Sequence, residues 1–392
     1  MKILYISDVH DRFDYLKILS DYAKTSKPDI IQVSGDIADI AFKEPKRFEN
    51  HTGMAQMIWQ YMLQHEPGLK RLTPYEARRA IPIVAEKLYE NPPNKDLEEL
   101  AESYLRSLDF YEGNLDMRYE LLKSMMGETG LEYTVIPGNH DKDLQLSCLK
   151  EKDIHKKTIE KNGIRIAGFG GANDIQYGDI TPFGTPPELT IPFNEYPNSQ
   201  GQVVSEIFNF LIKEKPDIAF THIPPRNIRD LAVHPMIRRT NDKTIIQLMR
   251  QGGPALMAYI QQSNNPELTK FLKNGGSVGL KEYAKQGHTR LICSGHIHES
   301  VGAEKIGTGN GPVIIFNGGS LNEGYFGEIR IDDETKNMDK ISLYRIKKRL
   351  ILPSYLEETM DTGNIVLLME YFLTPGKELK KIKTDLEEPY NY

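Results

Sequence analysis

The chain has 392 residues, of which 39% are hydrophobic and 27% are charged, as is typical of a globular protein with a sizeable core. Its 49 basic and 55 acidic residues give a formal net charge of −6, which excludes the strongly basic composition of non-specific nucleic-acid binders. Two cysteines exclude a disulfide framework, and no apolar run approaches the ~18 residues of a membrane span.

Seven short apolar runs predict buried strands, because each is followed by polar residues or glycine. In chain order they are Ile3–Ile6, Ile30–Val33, Tyr133–Ile136, Ile164–Ala167, Ile218–Phe220, Leu291–Cys293 and Val313–Phe316. Amphipathic stretches at Asp14–Lys24 and Gln202–Lys213 predict helices between some of them. The alternation predicts α/β architecture, in which a ligand site forms beyond the carboxyl ends of the strands.

Residues 41–130, between the second and third predicted strands, show helical periodicity instead. Apolar stripes run over residues 54–62, 97–108 and 119–126, and residues 73–76 form a capping box with proline at the first helical position. We predict an all-helical insertion over residues 41–130. Because both of its ends lie close to the site predicted below, we expect a cap over that site; an outward module for self-association is the alternative.

The remaining regions are less regular. The sequence pattern predicts a second helical insertion over residues 224–275 and two final strands within residues 325–346. The charged tail, residues 350–392, is expected to be a C-terminal extension.

Five short clusters of metal-type ligands follow predicted strands. They are Asp8-Val9-His10, Gly35-Asp36-Ile37-Ala38-Asp39, Gly138-Asn139-His140-Asp141, Thr221-His222 and Gly295-His296-Ile297-His298. Their carboxylate, amide and imidazole groups suit two adjacent divalent cations that share one bridging carboxylate and stabilise the attacking and leaving oxygens of phosphoryl transfer. This donor set favours Mn²⁺, Fe, Zn²⁺, Co²⁺ or Ni²⁺ over Ca²⁺.

The clusters resemble, in order and spacing, the pattern of the calcineurin-like metallophosphoesterase superfamily: D-x-H, G-D-x-x-D, G-N-H-[DE], a lone H and G-H-x-H. The resemblance covers roughly residues 1–40 and 131–330. It implies a four-layer sandwich of two mixed β-sheets flanked by helices. It also implies a catalytic domain over residues 1–40 and 131–349, interrupted by the helical insertions.

The resemblance also implies individual roles. Two metals would be bound by Asp8, His10, Asp36, Asn139, His222, His296 and His298, with Asp36 as the bridge. His140 would contact the phosphate and protonate the leaving oxygen, and Asp39 would orient His140. The alternative role of Asp39 is to complement a helix dipole. Manganese is the expected metal, by resemblance to the nuclease and diesterase branches.

Ser/Thr protein phosphatases carry an arginine soon after the G-D-x-x-D aspartate, whereas Ile40 follows Asp39 here, and their third motif ends in glutamate, whereas this one ends in Asp141. They also keep the segment that corresponds to residues 41–130 far shorter, so a protein phosphatase is disfavoured. A helix opened by Gly276-Ser277 before the last cluster resembles the phosphodiesterase branches instead. We therefore expect hydrolysis of phosphate esters, diesters before monoesters, by in-line attack of a metal-bridging hydroxide. The expected substrate is a phosphate ester such as a nucleotide.

Two alternatives remain: a DNA- or RNA-processing nuclease that acts with a partner protein, and a non-catalytic scaffold on the same fold. Specific nucleic-acid binding is not indicated by the composition, and no membrane partner is expected. Cleavage of a signal peptide would remove Asp8, so we expect none and predict a cytoplasmic protein. The oligomeric state is open.

Overall fold

The structure is a computed structural model that describes part of the chain. The described residues are 1–38, 44–65, 74–171, 189–191, 193–198, 200, 202–233, 237, 242–251, 253–263, 265–335, 338–347, 364–373 and 379–383. The helices within these ranges are α1 (Phe13–Ser26), α2 (Pro45–His65), α3 (Pro74–Glu90), α4 (Lys95–Gly127), α5 (Glu206–Glu214), α6 (Lys243–Gln251), α7 (Gly253–Gln262), α8 (Pro266–Thr269) and α9 (Val278–Gln286).

The strands fall between these helices and after them. They are β1 (Lys2–Ile6), β2 (Ile30–Ser34), β3 (Tyr133–Ile136), β4 (Lys157–Lys161), β5 (Ile164–Phe169), β6 (Glu195–Pro197), β7 (Val203–Ser205), β8 (Ile218–Thr221), β9 (Leu231–Val233), β10 (Leu272–Asn274), β11 (Leu291–Ser294), β12 (Gly302–Thr308), β13 (Gly311–Asn317), β14 (Tyr325–Ile331), β15 (Met338–Lys347), β16 (Asn364–Leu373) and β17 (Leu379–Lys383).

Two mixed sheets form the centre of the molecule. The first has the order β17-β16-β15-β14-β1-β2-β3, with β1 to β3 parallel and the other neighbours antiparallel. The second has the order β12-β13-β11-β8-β5-β4, in which β13, β11, β8 and β5 are parallel and the two edge strands are antiparallel. The predicted α/β sandwich of two mixed sheets flanked by helices is confirmed.

The alternation of side chains along each strand builds the layers. Tyr5 of β1 faces the second sheet, where its ring stacks on Phe220 at 5.8 Å between centroids and meets the edge of Phe316 at 5.9 Å. Leu4 and Ile6 face the opposite way, into a core shared with α1 and α4. Helices α5 and α9 cover the outer face of the second sheet in the same manner.

The segment predicted as an all-helical insertion contains α2, α3 and α4. Helix α3 begins at Pro74, the proline of the predicted capping box, and Thr73 lies outside the described residues. The three helices share a small apolar core of their own, which includes Ile58, Leu88 and Tyr104. The division of the chain into domains, including the second insertion at residues 224–275, stays a prediction.

The C-terminal strands extend the first sheet. The two strands predicted within residues 325–346 are β14 and β15. Strands β16 and β17 continue the sheet antiparallel beyond β15, inside the segment that the sequence pattern predicted only as an extension. The apolar run Ile365–Met369 is the signal that could have indicated β16. Among the helices of the described ranges, none is both long and apolar enough to cross a membrane.

Candidate metal centre

The five predicted clusters meet where the two sheets present the carboxyl ends of their parallel strands. β1, β2 and β3 lead into the first three clusters, and β8 and β11 lead into the last two. The loops are tied directly to one another: the backbone N–H of Asp8 donates to the Gly35 carbonyl at 3.0 Å, and that of His10 donates to the Asp36 carbonyl at 2.8 Å. Neighbouring strand ends therefore hold their polar side chains at one place.

Several predicted ligands have left-handed backbone. The φ angle is 53° at Asp8, 44° at His10, 49° at Asp36 and 60° at His296. This conformation costs a non-glycine residue about 1–2 kcal/mol, so it persists only where surrounding contacts hold it. Its recurrence at four of the seven predicted ligands indicates loops shaped to aim side chains.

One group of potential ligands consists of Asp8, His10 and His298, whose ligand atoms all lie within 4.8 Å of one another. The His298 Nε2 atom is 3.1 Å from Asp8 Oδ1, and the His10 Nε2 atom is 3.9 Å from the same oxygen. The side chain of Asp8 is fixed further, because its carboxylate accepts the backbone N–H of His296 and the hydroxyl of Ser7.

A second group consists of Asp36, His222 and His296, also within 4.8 Å of one another. The His222 Nε2 atom is 3.3 Å from Asp36 Oδ2 and 2.9 Å from Asn139 Oδ1, which brings the predicted amide ligand to this group. The same Asp36 oxygen is 3.7 Å from His10 Nε2 of the first group. Asp36 therefore stands between the two groups, as a bridging carboxylate must.

Two glycines make this density of polar groups feasible. A Cβ atom at Gly138 would collide with the carboxylate of Asp36, and one at Gly295 would collide with Ser7 and Asp8. Only glycine lets the backbone approach these carboxylates so closely.

The electrostatics of the site follow from two buried carboxylates. Burial raises the pKa of Asp8, but the neighbouring His298 and His222 together lower it to about 2. Burial lowers the pKa of both His298 and His222. However, Asp8 raises the pKa of His298 to about 9, and Asp36 raises that of His222 to about 10. Two imidazolium protons thus balance two buried carboxylates, and divalent cations would displace those protons on binding.

The other two predicted imidazole ligands are neutral. Burial lowers the pKa of His10 and of His296 to about 3, so each ring keeps a lone pair at neutral pH. A set of neutral imidazoles, buried carboxylates and an amide oxygen fits divalent transition metals. The assignment of the seven residues as ligands stays a prediction, which this geometry supports.

The predicted catalytic histidine lies beside both groups. The His140 Nε2 atom is 4.0 Å from Asp36 Oδ2, and its ring is 5.1 Å from that of His10. The backbone N–H of His140 donates to Asp36 Oδ1 at 2.8 Å, and burial lowers the pKa of the ring. Asp39, the predicted orienting residue, lies outside the described residues, so its role is a prediction only.

Supporting contacts include residues that the sequence patterns did not indicate. Ser320 Oγ and the Asn322 backbone N–H both donate to the Asp8 carbonyl, at 3.0 and 3.1 Å. Tyr119 donates to Asp141, and Arg118 contacts Asp11 next to His10. These contacts come from a loop 312 residues away in sequence and from a helix of the predicted insertion, so no local pattern signals them.

Comparison with solved structures gives distant likenesses over most of the chain. One crystal structure has a TM-score of 0.45 and 18% identity, covering 88% of this chain and 98% of the other. The protein TT1561 of Thermus thermophilus has a TM-score of 0.38 and 13% identity, with 86% and 96% covered. A dimetal phosphatase from Danio rerio has a TM-score of 0.38 and 9% identity, with 88% and 95% covered.

No protein-family model matches the chain, and no curated protein sequence matches it. With identities of 9–18% and TM-scores of 0.38–0.45, these solved structures do not indicate a function for the chain.

Proposed function

We propose that this protein hydrolyses phosphate esters with the help of two divalent cations. The proposed ligands are Asp8, His10, Asp36, Asn139, His222, His296 and His298. The observation that carries the proposal is the position of Asp36, whose Oδ2 atom lies 3.3 Å from His222 and 3.7 Å from His10 and so connects the two ligand groups. Bound there, the cations would supply Lewis-acid stabilisation of phosphoryl oxygens.

The chain itself would contribute orientation and a proton. In the proposal His140, held beside Asp36 by its backbone hydrogen bond, contacts the phosphate and donates a proton from its ring to the leaving oxygen. Burial lowers the pKa of His140, but an anionic phosphate beside the ring favours its protonated form. Asp39 would hold the ring in the productive orientation.

The finer parts of the proposal rest on the sequence pattern. We propose phosphodiesters, including nucleotides, as preferred substrates and Mn²⁺ as the metal, because the motif set resembles the diesterase branches. Action in the cytoplasm fits the two free thiols, Cys148 and Cys293.

The test is a metal-reconstitution assay. Metal-free protein loaded with Mn²⁺ should bind two ions per chain by elemental analysis. It should hydrolyse bis-p-nitrophenyl phosphate faster than p-nitrophenyl phosphate, and EDTA should abolish both activities. Asp36→Asn should lose metal and activity together. Binding of a single ion would contradict the binuclear site.

Other outcomes separate the alternatives. Two bound ions with no turnover of either ester or of cyclic nucleotides would indicate a non-catalytic scaffold. Efficient cleavage of plasmid DNA, in preference to the small esters, would indicate a nuclease.

A further inference from the structure

Helix α4 reaches the candidate metal centre through one buried tyrosine. The Tyr119 hydroxyl donates to Asp141 Oδ1 at 3.2 Å and accepts the backbone N–H of Lys142 at 3.0 Å. Burial, and then the nearby Asp141 carboxylate, raise the pKa of Tyr119 well above its usual range, so the phenol keeps its proton. The hydroxyl thus has a fixed donor direction and a fixed acceptor direction.

Asp141 in turn accepts hydrogen bonds from two of the loops that carry proposed ligands. Its Oδ2 atom accepts the backbone N–H of Gly138 at 2.8 Å, and its Oδ1 atom accepts that of Ile37 at 3.1 Å. Gly138 precedes Asn139, and Ile37 follows Asp36. The buried Asp141 carboxylate therefore joins the loops that carry the proposed bridging ligand and the proposed amide ligand.

The preceding residue of α4 reaches a third loop. Arg118 Nε donates to Asp11 Oδ1 at 2.5 Å, and both side chains are largely buried. Asp11 follows His10, and its own backbone N–H donates to the Ile37 carbonyl at 3.0 Å. Arg118 is held in turn by Asn114, one helical turn earlier, whose carbonyl accepts from Nη1 at 3.0 Å.

We propose that Tyr119 and Arg118 are positioning residues for the metal centre, so that metal affinity depends on a helix of the predicted insertion. This inference rests on the proposed function, because it concerns the same ligands. Groups that hydrogen-bond to metal ligands orient them, and their loss typically weakens metal binding by roughly 10- to 100-fold. Tyr119 and Arg118 would act on the ligands through the loops that carry them. The role differs from that of a cap exposed to substrate, since Tyr119 is fully buried and contacts the ligand loops through Asp141.

The decisive variant is Tyr119→Phe, which removes only the hydroxyl. Its matched control is Tyr111→Phe, two turns earlier on the same buried face, whose hydroxyl has no hydrogen-bond partner among the described residues. Metal-free proteins are titrated with Mn²⁺ by calorimetry after circular dichroism has established that each is folded. We expect Tyr119→Phe to bind Mn²⁺ roughly 10- to 100-fold more weakly and Tyr111→Phe to bind it as the wild type does.

A second pair of variants tests the contact between Arg118 and Asp11. It keeps the proposal testable if Tyr119→Phe does not fold. Arg118→Ala should weaken Mn²⁺ binding, and Arg118→Lys should restore part of it, because lysine keeps the charge but not the planar donor group. At saturating Mn²⁺, activity of both Tyr119→Phe and Arg118→Ala should recover toward the wild-type kcat, which a general loss of packing would not allow.

The outcomes are distinct from those of the proposed function. If the wild type fails to bind two ions, the proposed function is wrong. If the wild type binds two ions and both Tyr119→Phe and Arg118→Ala bind them with wild-type affinity, the positioning role is wrong while the proposed function stands. Equal weakening by Tyr111→Phe and Tyr119→Phe would also overturn it, since the effect would then belong to the helix packing.

Discussion

The two halves of helix α4 occupy different surroundings, although the helix is continuous from Lys95 to Gly127. In the first half, Ala101, Tyr104 and Leu108 pack against α2 and α3 in a separate small core. In the second half, apolar residues from Tyr111 to Met126 pack against α1 and the first sheet in the main core. The helix is about 50 Å long, at 1.5 Å per residue, so it spans both cores.

The first half of α4 thus belongs to a separate small core, whereas the second half also contacts the loops of the candidate site. Every contact described between α4 and the ligand loops comes from residues of its second half, such as Arg118 and Tyr119. Substitutions in the two halves should therefore differ in their effect on metal binding even where they cost similar stability.

The largest effect is expected inside the candidate site, and the smaller effects below are compared with it. His140→Ala should lower turnover by roughly 10²- to 10⁴-fold while both metal ions stay bound, because the ring is proposed to act on the leaving oxygen and not as a ligand. Steady-state kinetics and elemental analysis measure the two properties. The exposed His288, changed to Ala, is the control and should leave both unchanged. Release of a metal by His140→Ala would show that the roles are wrongly assigned.

The next effect compares the two cores that α4 spans, through Leu115 of α4 in the main core and Leu88 of α3 in the small core. Leu115→Ala in the second half and Leu88→Ala in the first core each remove a buried side chain and should each lower the free energy of unfolding by about 2–5 kcal/mol. Denaturant unfolding measures this loss. Only Leu115→Ala should also weaken Mn²⁺ binding, because its cavity lies one turn from Tyr119. An equal loss of metal affinity in Leu88→Ala would mean that the two cores act as one unit.

A histidine away from α4 gives a reference for acid sensitivity. His155 Nδ1 accepts the backbone N–H of Gly170 at 2.8 Å, and burial, followed by Lys156, lowers the pKa of the ring from 6.5 to about 3. The folded state thus binds this proton less well than the unfolded state. The stabilisation is present above pH 6.5 and is lost as the pH falls from 6.5 toward 3, by at most about 1.4 kcal/mol per pH unit.

The variant His155→Asn keeps an acceptor for Gly170 but does not titrate. Its free energy of unfolding should decline less steeply below pH 6.5 than that of the wild type, because the variant has no ring that takes up a proton on unfolding. Parallel slopes for the two proteins would exclude His155 as a source of acid sensitivity.

The smallest effect concerns the outward face of α4. Met117 is 60% exposed, so Met117→Gln should change the free energy of unfolding by no more than about 0.5 kcal/mol. The molar mass measured by light scattering should also be unchanged if the face meets solvent. A drop from dimer to monomer would instead show that the insertion mediates self-association, the alternative that the sequence left open.

Most residues of the candidate site could be predicted from the sequence by itself. The candidate ligands directly follow apolar runs, and both features are local, so the strand ends near Asp8, Asp36 and His222 could be predicted without knowledge of the fold. The helices of residues 41–130 were predictable for the same reason, since helical periodicity is a property of neighbouring residues. The two mixed sheets followed from the motif resemblance and are confirmed.

Only the tertiary structure decided which residues contact the loops of the candidate ligands. Tyr104, Tyr111 and Tyr119 lie on one buried stripe of α4 and look equivalent in the sequence. The sheet and loops next to the helix bring Asp141, 22 residues away in sequence, to the hydroxyl of Tyr119. Such hydrogen bonds join side chains from separate elements, so their partners are fixed by packing and register, which no local pattern encodes.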